Sequence, residues 1–217
     1  MTSELTATKK NHVLRVPLAR EFFNRDPRIV GRELLGKILV RRERRRKLAG
    51  RVVEVEAYLG KEDPAAHSFI GPTPRNQVMF GPPGFAYVYF IYGNHYCLNV
   101  SCQPEGVAGA ILFRAIEPLV GIGEMARRRD VDIASPRDLP KLTSGPGRMA
   151  EALGVTRERD NGKDLTSMRS DLWLADDGFV PERIAVTKRI GITKAADRPL
   201  RYLIDGNKFV SGPRNLR

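Results

Sequence analysis

Regular alternation between apolar and charged side chains constrains the fold more than any other feature of this 217-residue chain. Residues 51–58 read Arg-Val-Val-Glu-Val-Glu-Ala-Tyr, and successive side chains of a β-strand point to opposite faces. One face is expected to be apolar, and the other to carry two acids and an aromatic ring. The two sets are Val53, Val55 and Ala57, and Glu54, Glu56 and Tyr58. The polar set suits a solvated strand face. It also suits a carboxylate that activates water beside a ring that holds a planar substrate.

The charge balance points to a polyanionic partner. Lys and Arg total 37 against 25 Asp and Glu, a formal net charge of +12, and the usual partner of so basic a protein is nucleic acid. Basic residues concentrate at residues 41–47 and 127–129, where they either contact phosphate or form a solvated turn and a solvated helix end. A membrane surface fits less well, because these residues do not lie along a long amphipathic helix.

Length and hydrophobic content predict one globular domain over residues 13–217, since 41% of the chain is hydrophobic and its length can bury a core. Residues 1–12 are polar, lack the apolar core of a secretion signal and are expected to form a flexible tail. No apolar run approaches the roughly 20 residues that cross a bilayer, so a cytosolic protein is expected. Cys97 and Cys102 are expected to be reduced core thiols, because a zinc site needs more ligands at tighter spacing.

Turn residues and hydrophobic periodicity predict a mixed α and β protein. Strands are expected at residues 37–42, 50–58, 87–92, 95–101, 109–116, 200–204 and 208–210. Helices are expected at residues 19–24, 28–35, 117–129 and 148–153. Asp26 is a candidate N-cap for the second helix and Gly36 a candidate stop. The Pro- and Gly-rich residues 60–84 are expected to form a long structured loop.

A β-hairpin is predicted around Gly93. The strand ending at Tyr92 runs into Gly93-Asn94, and a two-residue loop that starts with Gly favours a type II′ turn. This places Tyr92 at or beside the tip, where a neighbouring loop could cover it. In a basic protein the same ring could instead be a wedge that enters a DNA groove and unstacks a base step.

Several stretches of the chain form an ordered set that is more specific than any one of them. They are Leu34-Leu-Gly-Lys-Ile-Leu-Val, Gly50-Arg-Val-Val-Glu-Val-Glu-Ala-Tyr-Leu-Gly, Asp63-Pro-Ala-Ala-His-Ser, Thr73-Pro-Arg-Asn, Met79-Phe, Pro83-Gly, Tyr87-Val-Tyr-Phe-Ile-Tyr-Gly, Leu98-Asn-Val-Ser, Leu112-Phe-Arg-Ala-Ile-Glu-Pro and Ser144-Gly-Pro. In this order, the set resembles the alkyladenine (3-methyladenine) DNA glycosylases, a base-excision repair family. The resemblance covers the chain from about residue 15 to about residue 210.

The resemblance implies an α+β fold in a single mixed domain, with a curved antiparallel β-sheet, surrounding helices and a protruding β-hairpin that enters the DNA minor groove. It also implies a partner, double-stranded DNA that contains damaged purines, and an enzyme that flips an alkylated or deaminated purine out of the duplex and hydrolyses its N-glycosidic bond. No metal or organic cofactor is required. We expect a monofunctional enzyme that leaves an abasic site, acting as a monomer at the chromosome in the bacterial cytoplasm.

The resemblance also implies catalytic residues. Glu56 matches the family's catalytic carboxylate, which deprotonates the water that attacks C1′ of the sugar. Arg114 matches the arginine that shares this water and the phosphate of the flipped nucleotide. Ile190 matches, more loosely, the residue whose backbone carbonyl holds the water. The family pattern gives Glu54 no catalytic role, which leaves it as structural support or as a surface residue.

The same resemblance implies a base-binding pocket. Tyr58 would stack on one face of the flipped base, with His67 and Tyr89 on the other. Asn99 corresponds to the residue that rejects normal guanine by crowding its exocyclic amine, and Tyr92 to the residue that fills the gap left in the duplex.

Two other functions compete with the glycosylase. A nucleic-acid binding module could use the basic surface and the Tyr92 wedge without catalysis. A hydrolase of free nucleosides or other glycosides could use Glu54 and Glu56 as a carboxylate pair, because residues two apart on a strand are about 7 Å apart at Cα. Such a hydrolase has no use for the large positive charge, which favours the glycosylase.

Overall fold

The computed structural model describes residues 14, 16–44, 46–91, 93 and 95–212, so the predicted tail at residues 1–12 lies outside the described residues. The strands of this part are β1 (Ile38–Glu43), β2 (Arg46–Tyr58), β3 (Ala86–Ile91), β4 (His95–Cys102), β5 (Gly109–Val120), β6 (Leu172–Ala175), β7 (Ile184–Thr187) and β8 (Arg201–Ile204). The α-helices are α1 (Pro27–Leu34), α2 (Ile122–Arg129), α3 (Pro140–Thr143), α4 (Pro146–Ala152) and α5 (Arg157–Asp160). Short 3-10 helices lie at Arg20–Phe22, Gly60–Glu62 and Gln77–Phe80.

The strands form one antiparallel sheet in the order β3-β4-β5-β2-β1-β6, with β8 added to β2 and β7 to β8. Strand β2 organises the sheet, because one of its edges pairs with β5 over most of its length. Its other edge pairs first with β1 and then, beyond residue 53, with β8. This change of partner along one long strand curls the sheet. The predicted α+β class with a curved antiparallel sheet is confirmed.

A β-bulge interrupts the predicted alternation on β2. Val52 pairs with Ile116 and Glu54 with Ala115, so Val53 is an extra residue without a partner on β5. Val52 therefore lies in the main core, whereas Val53 packs into a smaller cluster with Ala115. The prediction that Val53 shares a face with Val55 and Ala57 is wrong, because the bulge moves it to the opposite face.

Most predicted elements are present, with different ends. Helix α1 begins after Asp26, whose carboxylate accepts the backbone N–H of Arg28 at 2.7 Å, so the predicted N-cap is confirmed. The predicted helix at residues 117–129 is wrong in its first part, because β5 keeps pairing with β2 as far as Val120, across a register shift between Ala49 and Gly50. Helix α2 starts only after Gly121, whose positive φ of 78° and close contact with the Lys47 carbonyl exclude a Cβ atom. The predicted strand at residues 208–210 is a turn.

The predicted hairpin of β3 and β4 is present, and its last described pair nearest the turn is Ile91 and His95. Gly93 has a positive φ of 72°. Tyr92, the predicted intercalating residue, lies outside the described residues, and so does Asn94.

The core lies between the sheet and the helices, with α1, α2 and α4 contributing to the same large cluster as β2, β4 and β5. Cys97 and Cys102 are buried and free, as predicted for core thiols. In the described part of the chain, none of the helices is both long enough and apolar enough to cross a membrane.

The two basic clusters meet each other at the end of β2 remote from Glu56. Arg128 contacts Glu43 at the end of β1, and Arg46 lies 3.7 Å from Glu124 on α2. Arg41 is fully buried in an ion pair with Asp160 and is not the solvated charge that its cluster suggested. Much of the basic charge in residues 41–47 and 127–129 is therefore neutralised by acids of the same chain.

Candidate active site

The face of β2 that carries the two glutamates is buried, not solvated. Glu54 and Glu56 are both 0% exposed. The β2–β5 register sets Leu112 opposite Glu56 and Ala115 opposite Glu54, so Arg114 falls between the two acids. Its Nη1 atom lies 3.1 Å from Glu56 Oε1, and its Nε atom donates to Glu54 Oε1 at 2.9 Å. The predicted base and the predicted arginine are therefore in direct contact.

Glu56 is held by donors from three segments. Besides Arg114, the backbone N–H of Ile190 donates to Oε1 at 2.8 Å and the Tyr58 hydroxyl donates to Oε2 at 2.9 Å. Burial raises the pKa of Glu56 above its ordinary value, and the charge of Glu54 adds to this effect, whereas the three donors oppose it. The result is a carboxylate that is more basic than one in water yet can be held ionised by its donors. This combination suits a general base.

Glu54 has a different environment from Glu56. Its Oε1 atom accepts bonds from Arg114, from Arg201 Nε at 2.6 Å and from the Ser211 hydroxyl at 2.9 Å. Its Oε2 atom accepts the Ser211 backbone N–H at 2.5 Å. Sequence reasoning missed Arg201 and Ser211, because they lie about 150 positions along the chain from Glu54 and belong to no recognisable motif.

Tyr58 is supported from below by a buried ion pair. The guanidinium of Arg189 lies over the Tyr58 ring, 4.6 Å from its centroid. Both terminal nitrogens of Arg189 bond to the two carboxylate oxygens of Asp63, at 2.5 and 2.8 Å, and one of them also donates to the Ala57 carbonyl. Sequence reasoning identified Asp63 only as part of the Asp63-Pro-Ala-Ala-His-Ser motif, and it did not identify Arg189.

A cavity of about 590 Å³ opens above this face. Six of the predicted site residues line it: Tyr58, His67, Tyr89, Asn99, Arg114 and Ile190. Glu56 lies beneath the lining, covered by Tyr58 and Arg114. Much of the remaining wall is formed by Tyr87, Cys97, Leu112, Ser211 and residues 144–148, which include the first turn of α4. The structure thus brings together every predicted site residue that it describes.

The aromatic wall of the cavity is built from β3 and the loop after β2. The rings of His67 and Tyr89 meet edge to face with centroids 4.6 Å apart. The Tyr87 hydroxyl lies 3.0 Å from His67 Nδ1. Burial lowers the pKa of His67, and the nearby charge of Arg75 lowers it further, so the imidazole is neutral at pH 7. A neutral, aromatic wall suits a planar ring that stacks on it.

Asn99 is fixed at the floor of the cavity. It pairs with Tyr87 on β3 and with Leu112 on β5, and its side-chain amide donates to the Tyr87 carbonyl at 3.1 Å. Since this bond fixes the amide, Asn99 presents a rigid surface to whatever enters. Within the described residues, no group of three or more His, Cys, Asp or Glu side chains could hold a metal ion.

The sequence matches the family described as methylpurine-DNA glycosylase over residues 21–208. A relative from Koribacter versatilis is 64% identical over 200 residues, which cover 92% of this chain and 95% of the relative. A relative from Rhodopseudomonas palustris is 50% identical over 90% of this chain and 88% of the relative. A relative from Methanoculleus marisnigri is 48% identical over 89% of this chain and 98% of the relative. All three carry the provisional name 3-methyladenine DNA glycosylase. Because the family match spans most of the chain, this protein belongs to the methylpurine-DNA glycosylase family.

Proposed function

We propose that this protein is a DNA glycosylase that receives a damaged purine flipped from duplex DNA and hydrolyses its N-glycosidic bond. The observation that carries the proposal is the buried Glu56 carboxylate, fixed by Arg114, Tyr58 and Ile190 directly beneath an aromatic cavity. Membership of the methylpurine-DNA glycosylase family and the net charge of +12 support a DNA substrate.

Glu56 acts as the general base for the attacking water. A carboxylate oxygen has two acceptor positions, and Oε1 already receives Arg114 and Ile190. Oε2 receives the Tyr58 hydroxyl, so the water bonds to its second position and attacks C1′ from there. Cleavage passes through an oxocarbenium-like state, which the buried anion stabilises. The Ile190 carbonyl is the second acceptor that holds the water in this proposal.

The flipped base stacks in the cavity between Tyr58 on one side and His67 with Tyr89 on the other. Stacking on an aromatic side chain contributes about 1–3 kcal/mol per base and favours electron-poor alkylated purines. Asn99 rejects normal guanine by crowding its exocyclic amine. Tyr92, whose position the structure does not describe, fills the gap in the duplex when the hairpin of β3 and β4 enters the minor groove.

The reaction ends at an abasic site. Among the described residues that line the cavity, none is a lysine that could form a Schiff base with the sugar. Alkylated purines leave as neutral bases and need no general acid. A glycosidase that uses Glu54 and Glu56 as a catalytic pair is disfavoured, because Glu54 is occupied by Arg114, Arg201 and Ser211 and does not line the cavity.

A single-turnover assay on duplex DNA with one hypoxanthine, ethenoadenine or 3-methyladenine tests the function, with alkali to reveal abasic sites. We expect excision from damaged duplex at a rate that falls steeply with salt, because the protein must displace counterions from phosphate. The undamaged duplex and the free nucleosides serve as controls. Duplex binding without excision of any lesion would favour the binding module, and salt-insensitive turnover of free nucleosides would favour the nucleoside hydrolase.

Tyr58→Phe is expected to slow excision about tenfold below neutral pH while stacking is kept, because one charged hydrogen bond of roughly 1.5 kcal/mol is lost. The Tyr58 hydroxyl lowers the pKa of Glu56, so its removal raises that pKa and moves the acid limb of the pH–rate profile to higher pH. Tyr89→Phe is the matched control, since its hydroxyl contacts Cys97 instead of Glu56. An acid limb that moves equally in both variants would contradict a specific role for the Tyr58 hydroxyl.

A further inference from the structure

Four buried ionic side chains form a charge quartet beneath the cavity: Glu54, Glu56, Arg114 and Arg201. Arg114 is 7% exposed and the other three are 0% exposed. The quartet is ordered as a chain in which Arg201 contacts Glu54, Glu54 contacts Arg114, and Arg114 contacts Glu56. Its formal charges sum to zero. Burying four ions is costly unless each is paired, so an uncharged alternative at these positions would be stable as well.

Glu54 is the centre of this chain and the reaction assigns it no task. Its oxygens bond to Arg114, to Arg201 and twice to Ser211, which leaves it no contact with the cavity. Ser211 also accepts at 3.3 and 3.2 Å from Arg114 through its hydroxyl, and its carbonyl accepts from Arg201 at 2.9 Å. Glu54 and Ser211 therefore hold the edge of the Arg114 guanidinium formed by Nε and Nη2, while Nη1 contacts Glu56.

We propose that Glu54 is a positioning residue for the reaction, which orients Arg114 while sharing its positive charge with Glu56 and, together with Arg201, sets the charge that Glu56 experiences. This inference rests on the proposed function, because it concerns the ionisation of the general base. Glu54 keeps Arg114 from neutralising Glu56 completely, so Glu56 remains basic enough to take a proton from water. Arg201 in turn limits the repulsion that Glu54 exerts on Glu56.

The charged and titratable groups around Glu56 come from several elements. They are Glu54 and Tyr58 on β2, Cys97 on β4, Arg114 on β5 and Arg189 after β7, with Arg201 on β8 acting through Glu54. The charge of Glu54 raises the pKa of Glu56 and that of Arg114 lowers it. Removing the charge of Glu54 should therefore lower the pKa of Glu56, and removing the charge of Arg201 should raise it. The two changes have opposite signs.

The test is the pH dependence of single-turnover excision for the wild type, Glu54→Gln and Arg201→Gln. Because the base must be ionised, the rate rises with pH through the pKa of Glu56. We expect the acid limb of Glu54→Gln to move to lower pH by about one unit, and that of Arg201→Gln to move to higher pH, as expected for charges at this range. Arg201→Lys keeps the charge and should return the limb close to the wild-type position.

Glu43→Gln is the matched control, because Glu43 is also a glutamate between two arginines, Arg128 and Arg159, but lies at the remote end of the sheet. It should leave the acid limb in place. Shifts of the same sign, or no shift, in folded Glu54→Gln and Arg201→Gln would overturn the inference. If circular dichroism shows that Glu54→Gln does not fold, the inference is tested by Arg201→Gln alone. Its acid limb should move to higher pH, and Arg201→Lys should reverse that shift. A wild type without excision would instead refute the proposed function.

Discussion

Replacing Glu56 by glutamine is expected to lower the single-turnover rate of excision about 10³-fold, within the range that a positioned general base contributes. Glutamine keeps the size and the acceptor oxygen of the side chain but cannot take a proton from water. The loss should appear in the chemical step alone, because Glu56 has no exposed surface through which to contact DNA.

Folding and duplex binding should survive this substitution. Arg114 keeps Glu54 as its counter-ion at 2.9 Å, so no buried cation is left unpaired. The remaining slow excision should lose the acid limb that the raised pKa of Glu56 gives the wild type. Duplex affinity, measured by fluorescence anisotropy on a lesion-containing oligonucleotide, should stay within a few-fold of wild type. Near-normal excision by Glu56→Gln would assign the base to another group.

The sequence predicted which side chains share the candidate catalytic face, because these side chains lie close together on one strand. Glu54, Glu56 and Tyr58 share a face by simple alternation, and the structure keeps them there. The opposite face was predicted less well, since the bulge at Val53 depends on how β5 pairs with β2. The alternation of side chains can be read from the sequence of one strand, whereas a bulge depends on how two strands pair.

Contacts between distant segments could not be predicted in the same way. Glu54 and Arg201 are 147 positions apart, and Glu56 and the Ile190 N–H are 134 apart. No local pattern marks these partners, because each is specified by the curl that brings β8 and the segment after β7 against the end of β2. Charge counts misled at the other end of the sheet, where Arg41 proved to be a buried partner of Asp160.

Asp63→Ala is expected to lower the free energy of unfolding by about 3–5 kcal/mol, the usual cost of leaving one member of a buried ion pair without its partner. Burial alone would raise the pKa of Asp63, but the hydrogen bonds and charge of Arg189 hold it below its ordinary value. The pair is therefore charged at neutral pH. Within the described residues, Arg189 Nε has no hydrogen-bond partner, so the loss of Asp63 would leave the guanidinium poorly compensated.

Urea unfolding, compared with that of Asp177→Ala, measures this effect. Asp177 makes a similar two-pronged bond to Arg51, at 2.9 and 2.7 Å, but nearer the surface, so its removal should cost about 1 kcal/mol or less. Equal decreases in the free energy of unfolding of the two variants would show that burial does not increase the contribution of the Asp63–Arg189 pair to stability.

The double variant Asp63→Ala/Arg189→Met separates the charge from the packing. It should recover part of the stability lost in Asp63→Ala, because no unpaired cation remains. Excision should not recover with it, since the guanidinium under the Tyr58 ring is gone and the neighbouring Ile190 N–H that holds Glu56 loses its anchor. Stability would then return in part while excision would not, as expected if Arg189 supports Tyr58 and Glu56 at a cost to folding. Recovery of both together would mean that the pair serves the fold alone.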